Sequence, residues 1–253
     1  MLKIAMRTFW AGVLLLLLPA IVWLTGWLWS PALNTHLLRS VYWVSETVSS
    51  PWGVLTSLLL SIWFLWCLRF RIKPAFVLLV IIAAALVVGQ GIKNYVKIQV
   101  QEPRPYVQWL GTTTHMDVTA FYAMKSRDRS KMVEHQLENS QQIPKWLGKS
   151  WEADTDYAFP SGHTMFAATW ALLAVGILWP RRHYKTVIVL MLWATIVMAS
   201  RLLLGMHWPR DLMASVGISW LLVAVSSWLT QKFVGPLTLP AREQQEVTER
   251  KER

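Results

Sequence analysis

Six apolar stretches divide the chain, near residues 8–29, 52–70, 74–94, 163–180, 185–204 and 210–232. A helix needs about 20 mostly apolar residues to cross a hydrocarbon core of roughly 30 Å. Each stretch meets or nearly meets that length, so the pattern predicts an all-α polytopic membrane protein with six transmembrane helices. The first stretch has Lys3 and Arg7 ahead of Leu14–Leu18, as a secretory leader would. It runs on through Trp23, Trp27 and Trp29 without a small-x-small cleavage site, and is read as an uncleaved anchor.

The connections carry patterns of their own. In residues 31–51, Leu37, Leu38, Val41, Val44 and Val48 recur at helical spacing, which predicts an interfacial helix. Residues 98–159 form a long insertion rich in charge and amide, placed where it would cover a site. Its stretch from Lys125 to Gln142 predicts a solvated helix whose charges form a wet surface. There is no internal repeat. Residues 1–235 read as one six-span domain that includes the 98–159 insertion, and residues 236–253 as a cytoplasmic polar tail, its last dozen residues without order of their own.

Composition agrees with a membrane solvent. The chain is 54% hydrophobic and 15% charged, with a mean hydropathy of +0.35. Soluble domains carry about 25% charged residues. Seventeen tryptophans fit the same picture, because Trp concentrates at membrane–water interfaces. The net charge of +11 does not point to nucleic acid. The basic residues cluster beside the apolar runs, where they set topology and attract anionic lipid. Lys3 and Arg7 precede the first span. Arg69, Arg71 and Lys73 join the second and third. Arg181, Arg182 and Lys185 join the fourth and fifth, and Arg242, Arg250, Lys251 and Arg253 lie in the tail. This alternation predicts cytoplasmic termini and puts the other three connections outside. The single cysteine, Cys67, excludes an internal disulfide framework and a cysteine-built metal site, and reads as a packed apolar thiol.

Three short motifs fall on the outer side: Lys97-x6-Arg104-Pro105, Pro160-Ser161-Gly162-His163, and Ser200-Arg201-x5-His207-x3-Asp211. Lys97, Arg104 and Arg201 are cations suited to neutralising a phosphate ester, the arginines through a planar fork of donors. An arginine on the outer face runs against the positive-inside bias, so Arg201 asks for a function beyond anchoring. Ser161 is a good helix N-cap, Gly162 lets a backbone N–H approach an anion, and the helix start adds free N–H groups and a positive dipole end. His163 places an ionisable group at the same spot. A neutral His207 imidazole can attack phosphorus, and a carboxylate such as Asp211 on its other nitrogen would fix the tautomer. Pro209 reads as the first residue of the last span, leaving His207 just outside the helix and Asp211 in its first turn. No His-Glu-x-x-His metal motif is present, and Asp154-Thr155-Asp156 reads as part of a polar loop.

In order and at every position, the three motifs resemble the signature of the type-2 phosphatidic-acid phosphatase superfamily, which also contains vanadium haloperoxidases. The resemblance covers residues 1–235. It implies a lipid phosphate phosphatase of a bacterial inner membrane, with its site and helical insertion on the periplasmic side. His207 would be the nucleophile that forms a phosphohistidine, Asp211 its orienting partner and His163 the acid for the leaving oxygen. Lys97, Arg104, Ser161, Gly162 and Arg201 would bind the phosphate. The resemblance implies no metal, no cofactor and no obligate protein partner. Substrates in the family include phosphatidylglycerol phosphate, phosphatidic acid, lysophosphatidic acid, diacylglycerol pyrophosphate and undecaprenyl pyrophosphate. Two other readings compete. One is an anionic-lipid transporter or scramblase, which has no need of two histidines and an aspartate around three cations. The other is an enzyme for soluble phosphates or of haloperoxidase type, which does not explain a site held at headgroup level.

Overall fold

The computed structural model describes residues 2–31, 35–69, 72–138, 140 and 142–235. The polar tail expected at 236–253 and its four basic residues lie outside the described residues. Among the described residues every element is helical, in the order α1 Leu2–Leu24, α2 Thr35–Glu46, α3 Trp52–Leu68, α4 Ile72–Val100, α5 Pro105–Thr114, α6 Val118–Ala123, α7 Ser126–Leu137, α8 Lys145–Ala153, α9 Gly162–Leu173, α10 Tyr184–Leu203 and α11 Pro209–Phe233. α9 continues through a π-helical segment, Ala174–Leu178, and a single 3-10 turn, Trp179–Arg181.

Five of these runs are long and apolar enough to cross a membrane: α1, the segment that opens with α4, α9 with its continuation, α10 and α11. α3 is the sixth apolar run, at 17 residues. It stops where Arg69 turns left-handed, with φ 49°, and closes the helix through its N–H on the Leu65 carbonyl. α4 reaches past the apolar stretch as far as Val100. Lys93, Lys97 and Gln99 are good helix formers, so the helix carries on into the polar zone.

α9 is the centre of the bundle. Ala167, Ala168, Trp170, Ala171, Leu172 and Leu173 have no exposed surface. α11, α10, α4 and α1 pack around it. Small residues let the backbones approach: a Cβ on Gly176 would lie 2.9 Å from Ser227 Oγ. Serines of α11 tie the two helices, with Ser215 Oγ donating to Ser161 O (3.1 Å) and Ser219 Oγ to Met165 O (3.0 Å). The outer faces are apolar and uncovered, as at Leu59, Val87, Val189 and Leu221, which suits contact with lipid rather than water.

A second, smaller core lies at one end. Tyr106, Val107 and Leu110 of α5, Phe121 of α6, Val133 of α7 and Trp151 of α8 pack with Leu38 of α2 and with Leu204 and Met206. The 98–159 insertion is therefore a helical cap wrapped round the link between α10 and α11. The solvated helix is present as α7, and Val133 is its anchor on the cap core.

Candidate active site

The link between α10 and α11 is too short to be regular and too buried to be wet, so its carbonyls need donors from elsewhere. They find one each. Trp29 Nε1–H donates to Leu203 O (2.8 Å) and Trp151 Nε1–H to Leu204 O (2.9 Å). The Tyr106 backbone N–H donates to Gly205 O (2.9 Å), and Arg104 Nη1 to Met206 O (3.1 Å). From within, the N–H groups of Met206 and His207 both donate to the Arg201 carbonyl, at 3.0 and 3.2 Å. Gly205 sits at φ 68° with Trp29 so close that a Cβ would come 2.7 Å from the ring. Only glycine meets both demands.

This clamp aims His207. Its Nδ1–H donates to Asp211 Oδ2 (3.1 Å), which also accepts the Trp208 N–H at 2.9 Å. Pro209 opens α11 and Asp211 lies in its first turn, as the sequence predicted. The carboxylate thus selects the tautomer that leaves Nε2 with its lone pair. Nε2 faces a cavity and lies 3.4 Å from Arg104 Nη1. Burial first, then the charges of Arg104, Arg201 and Lys97, hold the imidazole well below its ordinary value of 6.5. It is neutral at pH 7.

The cavity has a volume of about 580 Å³ and two kinds of wall. Val54 of α3, Leu86 and Val87 of α4 and Phe166 of α9 make one apolar side; Lys97, Arg104, Gly162, His163 and His207 make the other. Arg104 has no exposed surface. Its fork reaches Asp156 O (2.6 Å), Met206 O (3.1 Å) and Asp154 Oδ1 (2.5 Å). Lys97 lies in the last turn of α4. Gly162 opens α9, and the stem of Lys93 crosses it so closely that a Cβ would come within 2.8 Å. Ser161 is the N-cap, its Oγ accepting the Thr164 N–H at 3.3 Å while its own N–H goes to Ser215 Oγ at 2.9 Å. The remaining N–H groups of the first turn of α9 have no partner within their helix and are available to an anion.

Arg201 reaches the site from the far side. It lines a second cavity of about 340 Å³ with Tyr42, Glu46, Lys149 and Ser150. The two cavities share Ser49, Ser50, Asp154 and His163. Arg201 Nη1 donates to Ser45 Oγ (2.9 Å) and Nη2 to Asp154 Oδ2 (3.5 Å). Its buried Nε has no partner among the described residues.

Asp154 is the residue that the sequence reading missed. It was expected in a polar loop of no consequence, yet its carboxylate joins the two buried arginines. Burial opposes its charge, but Arg104, Lys97 and Arg201 outweigh burial and hold the carboxyl well below the usual carboxylate range. It is the C-cap of α8, so the cap core places it, and no local motif marks that. Ser45, Glu46 and Ser49 were missed for the same reason: the turn after α2 meets the site only in three dimensions. Among the described residues, no group of three His, Cys, Asp or Glu side chains could hold a metal ion.

Two histidines, one with its lone pair freed by a carboxylate, stand among buried cations at the edge of an apolar cavity on membrane helices. Residues 74–234 match the PAP2 superfamily, and the chain belongs to it. The chain is a lipid phosphatase with the character of a membrane protein. It is 56% identical over 250 residues to phosphatidylglycerophosphatase B of Escherichia coli (strain K12), across 99% of this chain and 98% of the relative. The same figures hold for the Shigella flexneri protein of that name. The Haemophilus influenzae protein of that name is 32% identical over 222 residues, across 84% of this chain and 90% of the relative.

Proposed function

We propose that this protein removes the terminal phosphate from phosphatidylglycerol phosphate and from related lipid phosphates and pyrophosphates, through a phosphohistidine on His207. The observation that carries the reading is the His207–Asp211 pair, with the Nε2 lone pair turned toward Arg104 Nη1 (3.4 Å) in a cavity that is cationic on one side and apolar on the other. A lipid can lay its chains along Val54, Leu86 and Val87 while its phosphate meets Lys97, Arg104 and the start of α9. Phosphatidic acid, lysophosphatidic acid, diacylglycerol pyrophosphate and undecaprenyl pyrophosphate present the same terminal group.

In the first step Nε2 of His207 attacks phosphorus, and the bond from phosphorus to the leaving oxygen breaks. His163 gives that oxygen a proton, and the lipid leaves as its alcohol or lower phosphate. Asp211 steadies the charge that develops on His207. Arg104, Arg201, Lys97 and the turn at Ser161 and Gly162 carry the equatorial oxygens. In the second step water attacks phosphorus, His163 takes its proton, and the P–N bond breaks to release phosphate. Fixed cations do the work of a metal, so turnover persists in excess EDTA. The alternation of basic connections supports cytoplasmic termini and a site on the periplasmic face of an inner membrane.

The test is phosphate release from a panel of lipid phosphates in detergent micelles. His207→Ala abolishes turnover while the protein still inserts and folds, and quenching the parent enzyme without acid traps phosphate on His207. Undiminished hydrolysis by the alanine variant removes this residue from the reaction. Lipid movement without phosphate release would favour a transporter.

A further inference from the structure

Glu46 is the sole acidic residue before Glu102. It ends α2, and its Oε1 accepts a hydrogen bond from Ser49 Oγ at 3.2 Å. Ser49 Oγ lies 3.0 Å from Nε2 of His163. A serine hydroxyl has one proton to give. With that proton on Glu46, its lone pair faces His163, so Nε2 of the imidazole carries the hydrogen and donates. Nδ1 is then the atom left for a substrate. We propose that Ser49 and Glu46 are positioning residues for His163, holding its ring by Nε2–H and supporting its protonated form.

The surroundings explain why such support is needed. His163 shares its end of the cavity with Lys97, Lys93, Arg104 and His207, and Arg201 faces it from the second cavity. Three carboxylates line the two cavities with it, Asp154, Asp156 and Glu46, and Asp156 is paired with Arg129. Asp154 is engaged with Arg104 and Arg201. Glu46 reaches His163 through one hydroxyl, an arrangement in which a carboxylate favours the imidazolium at short range.

The turn that carries Ser49 is held in place by three hydrogen bonds from α10 and α3. Trp193 Nε1–H of α10 donates to Thr47 Oγ1 (3.0 Å), Thr56 Oγ1 of α3 donates to Thr47 O (2.7 Å), and the Gly53 N–H donates to Ser49 O (2.7 Å). A Cβ on Gly53 would lie 2.5 Å from the Val48 carbonyl oxygen, so the close turn depends on glycine there. A pinned hydroxyl orients its partner at little entropic cost.

This inference rests on the reading of His163 as the acid, and the experiment separates the two. Ser49→Ala, Glu46→Gln and His163→Ala are assayed beside the parent on a lipid phosphate, whose alkoxide leaves only with a proton, and on nitrophenyl phosphate, whose leaving group needs none. General acids contribute about 10²–10⁴ in rate, so loss of their support is expected to cost roughly tenfold on the lipid and little on the nitrophenyl ester. Glu46→Gln is also expected to move the alkaline limb of the pH profile on the lipid to lower pH. If His163→Ala loses equally on both substrates, the acid reading falls, and this inference falls with it. If His163→Ala discriminates between them while Ser49→Ala and Glu46→Gln do not, this inference alone is overturned. Should Ser49→Ala fail to fold, the rates and pH limb of Glu46→Gln decide.

Discussion

Arg104→Lys keeps the charge and is the sharpest test of the site's geometry. Arg104 is wholly buried, and its guanidinium serves Asp156 O, Met206 O and Asp154 Oδ1 along diverging directions. An ammonium is a point charge without that fork. Placed near Asp154, it leaves at least one of the two carbonyls without a donor, at roughly 1–3 kcal/mol for a buried acceptor. Losing the hold on Met206 O also loosens the link that aims His207. In the reaction, one donor fewer on the developing charge costs about 2.7–4 kcal/mol, or roughly 10²–10³ in kcat. The variant is therefore expected to fold with a lowered thermal midpoint and to lose two to three orders of magnitude in kcat on a lipid phosphate. Phosphate release is measured well below that midpoint, so that loss of fold and loss of rate separate. Activity within threefold of the parent would mean that charge alone suffices and that the fork is not used.

Two further outcomes follow from the same link. Gly205→Ala adds a left-handed alanine, at about 1–2 kcal/mol, and drives its Cβ against Trp29, which itself holds Leu203 O. It is expected to lower both thermal midpoint and kcat, whereas Gly91→Ala, inside α4 with nothing within 4 Å, keeps kcat and does not lower the midpoint. The contribution of His207 to stability should also fall as pH drops below about 6.5. The folded His207 is held well below that value, so from there down to its folded value the unfolded chain binds the extra proton, and folding weakens as pH falls. Thermal melts of the parent and of His207→Gln from pH 8 to 5 check this: the parent should lose more of its midpoint, and parallel curves would refute it.

Much of the membrane body was legible because its signals are local. The apolar runs, the basic residues beside them, Pro209 at a helix start and Ser161 as an N-cap all act on their own turn of backbone. The spacing His207-x3-Asp211 also held, since a loop residue and a first-turn carboxylate meet without help from afar. The three motifs specified which chemistry the chain carries. They did not specify what holds it. Asp154 between Arg104 and Arg201, Ser45 on Arg201, and Ser49 on His163 join residues about 50 to 150 positions apart. Such contacts leave no period and no spacing to read. They form because buried charges and buried carbonyls must find partners once the bundle and its cap have closed. The sequence by itself determined the helices, their solvent and the candidate reacting groups; only the tertiary structure decided which distant side chains surround and neutralise them.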